Sequence, residues 1–301
     1  MIKLSLFGRN LRYRFEYLVV WTFISIFKKL SLDVASSFGG WLAERIGPNL
    51  RKHSIAKNNI VMIFPEWSEQ EVKTVLKGMW NNLGRVFGEY CHLDNIKLCG
   101  ASPRIELLGR EHVQRLNRDN IGGILVSGHM GNWELLSSAS AECGLPLRNL
   151  YRSANNPYVE KLLTDVRRGS GGTQHPKSVG GVRALIKGLI NREHVGMLID
   201  QKYNEGALVP FLGWDAMTSN TPAALAIRFK VPVVPARVER LSGAYFRITV
   251  LPPMPVPDTG DAEADKKRLT EDINKLFSGW IIDRPEQWLW LHRRWPLEAA
   301  K

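Results

Sequence analysis

Cysteine is scarce: Cys91, Cys99 and Cys143 are the only three in 301 residues, an odd number without CxxC spacing. That argues against a disulfide framework and a structural zinc site, and it fits a reducing compartment. No HExxH motif or Cys/His cluster is present, so a catalytic zinc finds no ligand set in the sequence. Acidic residues are in deficit, with 29 Asp+Glu against 41 Lys+Arg and a net charge of +12. A chain this basic suits an acidic partner: nucleic acid, an anionic membrane surface or a phosphorylated substrate. The lack of a recognised nucleic-acid-binding motif argues against the first. Internal repeats, low-complexity stretches and strong linkers are also missing. The expected plan is an N-terminal helical region over residues 1–50 packed on one α/β domain over 51–301.

Long apolar runs are missing too. Residues 17–27 are uncharged and mostly apolar, between Glu16 and Lys28-Lys29. As a helix they reach roughly 16 Å, against a hydrocarbon core about 30 Å thick. A span would require snorkelling lysines and a helix continuing toward Trp41. Lys3, Arg9, Arg12 and Arg14 precede the run, and Lys28, Lys29, Arg45, Arg51 and Lys52 follow it. Basic flanks on both sides favour a monotopic anchor on the cytoplasmic face of a membrane. A secretory signal with a poor cleavage site at Ala35-Ser36-Ser37 and an ordinary buried helix are the competing readings.

What is present alternates between strand and helix. Ser68 and Glu71 have the spacing of a capping box. Val72, Val75, Leu76, Met79, Trp80, Leu83, Val86, Phe87 and Tyr90 then follow at helical spacing, which predicts a core-facing stripe. Strands are expected at residues 104–108, 123–127, 147–151, 195–199, 231–237 and 245–251. Helices are expected at 133–143, 158–168, 181–191, 222–230 and 262–282. Pro222 suits a first turn, where a missing N–H costs nothing. Pro252 to Asp258 reads as a surface loop. The class is α/β.

Ser127-Gly128-His129-Met130-Gly131-Asn132-Trp133-Glu134 stands where a buried strand gives way to a helix, the usual ligand position in open α/β sheets. A histidine there can serve as a general base near neutral pH. A carboxylate five residues on can reach back to hold the imidazole tautomer. The glycines admit close backbone approach, and free amides at the helix start would stabilise an oxyanion. H-x4-E by itself is a weak pattern that a helix-capping Glu would also give.

The segment from Gly128 to Glu134 resembles the signature of the late acyltransferases of lipid A biosynthesis, the lauroyl and myristoyl transferase family. Asn58-Asn59-Ile60 with Phe64-Pro65, Arg152 with Asn155-Asn156-Pro157, Asp200-Gln201, Phe211-Leu212-Gly213 with Thr218, and the tail from Pro285 to Trp295 resemble further blocks in family order. The resemblance implies a glycerolipid acyltransferase-like fold with a mixed central sheet flanked by helices, and H-x4-D/E chemistry in its Glu variant. It implies transfer from acyl carrier protein to the 3-hydroxyl of a hydroxyacyl chain on the disaccharide. The acyl carrier thioester is a co-substrate, and neither cofactor nor metal is expected. One departure matters: the superfamily's Pro-Glu-Gly block is missing, and Asp200-Gln201 occupies its region.

His129 is then the expected base and Glu134 the residue that orients and compensates the imidazolium, with Gly131, Asn132, Arg152, Asp200 and Gln201 as substrate-binding candidates. Arg152 can grip a phosphate bidentately or make a structural ion pair. Asp200 can orient Arg152 or the incoming lipid, or pair structurally. Trp288, Trp290, His292, Arg293, Arg294 and Trp295 mix aromatics and cations as an interfacial or phosphate-facing surface would. Expected partners are the carrier protein, an anionic glycolipid and the membrane surface, without nucleic acid, at the bacterial inner membrane. Another glycolipid or lysophospholipid acceptor, or a non-catalytic basic lipid-binding protein, are the alternatives.

Overall fold

The computed structural model describes residues 2–167 and 171–295, with only the backbone for 2–7. Four helices come first: α1 (Ile2–Phe27), α2 (Leu32–Ile46), α3 (Arg51–Ile63) and α4 (Glu69–Glu89). The α1 helix does not run on toward Trp41. Its last turn closes with Leu30 N donating to Phe27 O, and α2 starts afresh at Leu32. Among the described residues no helix is long and apolar enough to cross a membrane. The α4 helix opens with the capping box: Ser68 N donates to Glu71 Oε2 at 2.7 Å and Glu71 N to Ser68 Oγ at 3.3 Å. Its stripe is core as expected from Val72 to Val86, but Phe87 is 57 % exposed, so the stripe does not extend to it. On another face α4 crosses α2 at near backbone contact. A Cβ on Gly84 would stand 2.2 Å from Gly39 O, and one on Gly88 2.3 Å from Ala35 O.

The alternating part runs β1 (Ile105–Leu108), α5 (Arg110–Asp119), β2 (Gly123–Ser127), α6 (Leu135–Glu142), β3 (Leu147–Tyr151), α7 (Pro157–Arg167), β4 (Thr173–Pro176), α8 (Val179–Ile190) and β5 (His194–Leu198). It continues as a hairpin of β6 (Lys202–Phe211) and β7 (Trp214–Thr218), then α9 (Thr221–Phe229), β8 (Val233–Ser242), β9 (Tyr245–Val250) and α10 (Ala262–Asp283). The sheet order is β1-β9-β8-β2-β5-β3-β4. Every pairing is parallel except β8 with β9, so the sheet is mixed, as expected. The expected helix at 158–168 ends with Arg168, which lies outside the described residues, as does the side chain of Lys3.

Sequence patterning missed α5, β4 and the β6–β7 hairpin. It placed the helix after the His129 segment two residues early, because residues 131–134 form a turn and Glu134 caps a helix beginning at Leu135. The sheet separates two apolar cores. Along β2, Ile124 and Val126 join the core formed with α4, α8, α9 and α10, whereas Leu125 faces the core formed with α5 and α6. That alternation follows from successive side chains pointing to opposite faces.

The C-terminal segment corrects one expectation. Trp288, Trp290 and Trp295 are buried among apolar neighbours, and Arg294 is fully buried. Apart from the exposed Arg293 and the half-buried His292, this block is core and does not form the expected interfacial surface. Arg294 donates to Met217 O at 2.7 Å and Thr218 Oγ1 at 2.6 Å, which offsets part of the cost of burying the cation, while its Nε has no hydrogen-bond partner among the described residues. Asn59 Nδ2 ties the same segment to α3 by donating to the carbonyls of Trp290 and His292.

Candidate active site

Two neighbouring parallel strands create the site. Ser127 of β2 pairs with Leu198 of β5, so the strands stop side by side and their following loops meet. His129 and Asp200 each lie two residues beyond that last pair. The His129 Nδ1 and Asp200 Oδ1 are 2.8 Å apart, and Asp200 Oδ2 accepts from the His129 backbone N–H at 2.9 Å. A carboxylate only accepts, so Nδ1 carries the hydrogen and Nε2 keeps its lone pair. The imidazole is 18 % exposed whereas the Asp200 carboxylate is fully buried, which leaves the ring's other edge toward solvent. Gln201 Nε2 stands 3.4 Å from His129 Nε2, and Trp133 meets the ring edge-on at 5.1 Å.

Burial disfavours the imidazolium, but the charge and hydrogen bond of Asp200, with the charge of Glu134, outweigh it and raise the His129 pKa above its ordinary value. Burial likewise opposes the Asp200 carboxylate. The charge and hydrogen bonds of His129 and the indole of Trp288 overcome it and bring Asp200 down to about 2.

The carboxylate that holds Nδ1 is thus Asp200; Glu134, expected to orient the imidazole, bonds elsewhere. Its Oε1 lies 3.2 Å from Nη2 of Arg167, at the end of α7. The Arg167 guanidinium also stands over the rings of Tyr90 and Tyr151 at 5.5 and 5.3 Å. The Tyr90 hydroxyl is buried without a hydrogen-bond partner among the described residues. Burial and the Glu134 charge push its pKa well above that of a free phenol, so it remains a neutral donor.

The other expected residues divide. Gly131 adopts φ +55°, and a Cβ there would stand 2.6 Å from Val238 O, so glycine is dictated by both conformation and space. Its carbonyl accepts from Asn82 Nδ2 at 2.9 Å. Asn132 is buried and donates to Glu89 Oε2 at 2.8 Å, so its amide group supports the loop from below instead of facing a substrate. Glu89 also accepts from Ser36 Oγ of α2 and pairs with the guanidinium of Arg240. Arg152 is exposed just past β3, away from any ion pair among the described residues. The expected free amides at the helix start are largely engaged: Gly131 N donates to Gln287 O, and Leu135 N and Leu136 N donate to Asn132 O and Trp133 O.

Arg167 escaped the sequence reading because no local spacing links it to Glu134, 33 positions away. The place of Asp200 at a strand end is legible in the sequence, whereas its pairing with His129 depends on β2 and β5 being neighbours. A base with one nitrogen fixed and the other held only by a long 3.4 Å amide contact, beside a second carboxylate and a guanidinium, is equipped to take a proton from a hydroxyl.

Comparison with known proteins gives the same direction. Residues 5–296 match the family model "Bacterial lipid A biosynthesis acyltransferase". The chain is 27% identical to the lipid A biosynthesis lauroyltransferase of Escherichia coli K12 over 256 residues, covering 81% of this chain and 79% of that protein. It is 24% identical to the palmitoleoyltransferase of the same organism, covering 81% and 78%. A lipid A biosynthesis acyltransferase of Haemophilus influenzae is 24% identical, covering 87% and 80%.

Proposed function

The chain belongs to the bacterial lipid A biosynthesis acyltransferase family, and we propose that it moves a fatty acyl group from an acyl carrier protein thioester to a hydroxyl of a lipid A precursor, as a late, secondary acylation. The observation that carries the chemistry is the His129 ring, with Nδ1 held by Asp200 and Nε2 facing only the Gln201 amide at 3.4 Å, a long contact that an acceptor hydroxyl can displace. In the proposed step Nε2 takes the proton of the acceptor hydroxyl as its oxygen attacks the thioester carbonyl carbon. The C–S bond then breaks, and the imidazolium returns the proton to the departing thiolate. Asp200 fixes the tautomer. Glu134, anchored by Arg167, adds a second negative charge that favours the imidazolium. Gln201 and Arg152 are the proposed contacts to the glycolipid, whose phosphates suit the net charge of +12. The carrier protein is an acidic partner for the same basic surface.

Membrane contact belongs to the same proposal, at the cytoplasmic face of the inner membrane. Its support is a set of exposed apolar side chains on α1 and α2, Leu11, Phe15, Leu18, Trp21, Phe38 and Trp41. Basic residues flank them, and lateral contact with one leaflet needs no spanning helix.

The test is direct. Purified protein incubated with acyl carrier thioester and a lipid A precursor should yield a product heavier by one acyl chain. Folded His129→Ala should yield none. An unchanged precursor across a panel of acyl chain lengths, with lysophospholipid acylated instead, would replace the acceptor. Unchanged lipids of every class would leave a lipid-binding protein.

A further inference from the structure

Asp200 has two oxygens and three donors. Oδ1 meets the imidazole, and Oδ2 accepts from the His129 backbone N–H at 2.9 Å and from Trp288 Nε1 at 2.7 Å. The indole is 2 % exposed and the carboxylate 1 %, so water does not compete for that bond. The segment carrying Trp288 is fastened along the loop it serves. Met130 and Trp288 form an antiparallel bridge, Leu289 N donates to His129 O at 3.1 Å, and Gly131 N donates to Gln287 O at 3.2 Å. The rings of Phe211, Trp290 and Trp295 pack around the indole.

We infer that Trp288 is a positioning residue that sets the basicity of the His129–Asp200 pair: its indole N–H draws charge from the Asp200 carboxylate and so limits how strongly Asp200 holds a proton on the imidazole. The inference rests on His129 being the general base. A carboxylate that loses a hydrogen-bond donor presents more charge to its neighbour and stabilises the imidazolium further. The remaining groups around the pair are Glu134, whose charge also favours the imidazolium, His292, which faces both His129 and Asp200, and Arg294, which faces Asp200. None of these replaces the indole, since the Asp200 carboxylate is already fully buried behind it.

Trp288→Phe keeps an aromatic ring and removes the donor. Its acidic limb in kcat/KM against pH should move up by about half a unit to one unit, less than the full worth of a hydrogen bond to an ion because that bond is made in both protonation states of His129. Trp290→Phe is the control. Its indole lies in the same cluster but donates to Pro285 O, so it should lower thermal stability without moving the limb. Equal shifts in both variants, or no shift in Trp288→Phe, would overturn the inference. Should Trp288→Phe fail to fold, the wild-type full chain decides. With 15N-labelled tryptophan and 13C-labelled histidine, the Trp288 indole resonance should titrate with the midpoint of His129, and a flat indole resonance sinks the idea. Active His129→Ala would defeat the base assignment separately, because the indole response does not depend on turnover.

Discussion

Asp200 Oδ1 and His129 Nδ1 stand 2.8 Å apart across 71 positions of sequence, because β2 and β5 run parallel and stop in register. Asp200→Asn keeps the shape of this contact and removes its charge. The His129 pKa should fall, which carries the acidic limb of the pH-rate profile downward, opposite to the shift expected for Trp288→Phe. Turnover should fall by about 10²-fold or more, since an amide can present its NH2 and select the wrong tautomer. Wild-type kinetics at the pH plateau would contradict the arrangement.

The same pair makes a prediction for stability. The Asp200 pKa is depressed, so its contribution is complete above the unfolded value near 4 and is lost as pH falls toward about 2. That contribution is on the order of 2 kcal/mol. The His129 pKa is raised, so its contribution is complete below the unfolded value and is lost as pH rises through the folded one. Chemical unfolding of Asp200→Asn between pH 2 and 4 should therefore show a shallower dependence on pH than the wild type. Parallel curves would contradict it.

Glu134 and Arg167 should behave as one unit. Glu134→Ala and Arg167→Ala should each lose about 10²-fold or more in turnover, and the double variant little beyond the worse single one. Glu134→Asp should retain part of the activity because it keeps the charge with a shorter reach. Additive losses in the double-mutant cycle would show that the 3.2 Å pair has no share in the reaction.

What the sequence disclosed and what it hid follow from how far each signal reaches. The apolar run Ile124-Leu125-Val126 marks β2, and Gly-His and Gly-Asn mark the turn after it, because those signals are local. The partner of His129 depends on which strands are neighbours, and neither Glu134 at five positions nor Asp200 at seventy-one carries that information. Proximity in sequence favoured Glu134. The C-terminal block is ambiguous in sequence because tryptophan beside arginine suits both a membrane interface and a core in which most polar groups find a partner. The partners of Arg294, Met217 O and Thr218 Oγ1, lie in β7. Phe87 misled in the other direction: it keeps helical spacing with the buried stripe while standing exposed on α4.

Beneath the His129 loop, Glu89 and Arg240 form a buried ion pair that also holds Ser36, Asn82 and Asn132. Arg240→Met leaves a buried carboxylate without its cation and should cost about 3–5 kcal/mol. Exchanging both partners for apolar residues of similar volume should cost less than that single change. Thermal or denaturant unfolding would decide, and a double variant no better than Arg240→Met would show that the remaining polar contacts matter more than the pair.

The last prediction concerns α1, where Leu11, Phe15 and Leu18 recur at helical spacing and are 62 %, 67 % and 55 % exposed. Removing residues 1–29 outright would be a poor test of membrane contact. It deletes Ile24 and Phe27, which are buried, and breaks the bonds from Asn156 Nδ2 to Tyr13 O and Glu16 Oε2 that attach α1 to the start of α7. That helix ends at Arg167, so a truncated protein would lose activity for reasons unrelated to lipid. Leu11→Ser, Phe15→Ser and Leu18→Ser together spare all of these contacts. Each exposed apolar side chain inserted into the interface contributes on the order of 1 kcal/mol or more. The triple variant should therefore sediment with anionic phospholipid vesicles at least tenfold less than the wild type, and its near-UV spectrum should be unchanged. Raising salt should release more of the triple variant than of the wild type, because the attraction left to it lies between exposed charges screened over about 8 Å at physiological ionic strength. Equal sedimentation of the two proteins would exclude this face of α1 as the contact and move the search to the exposed ring of Trp41 on α2.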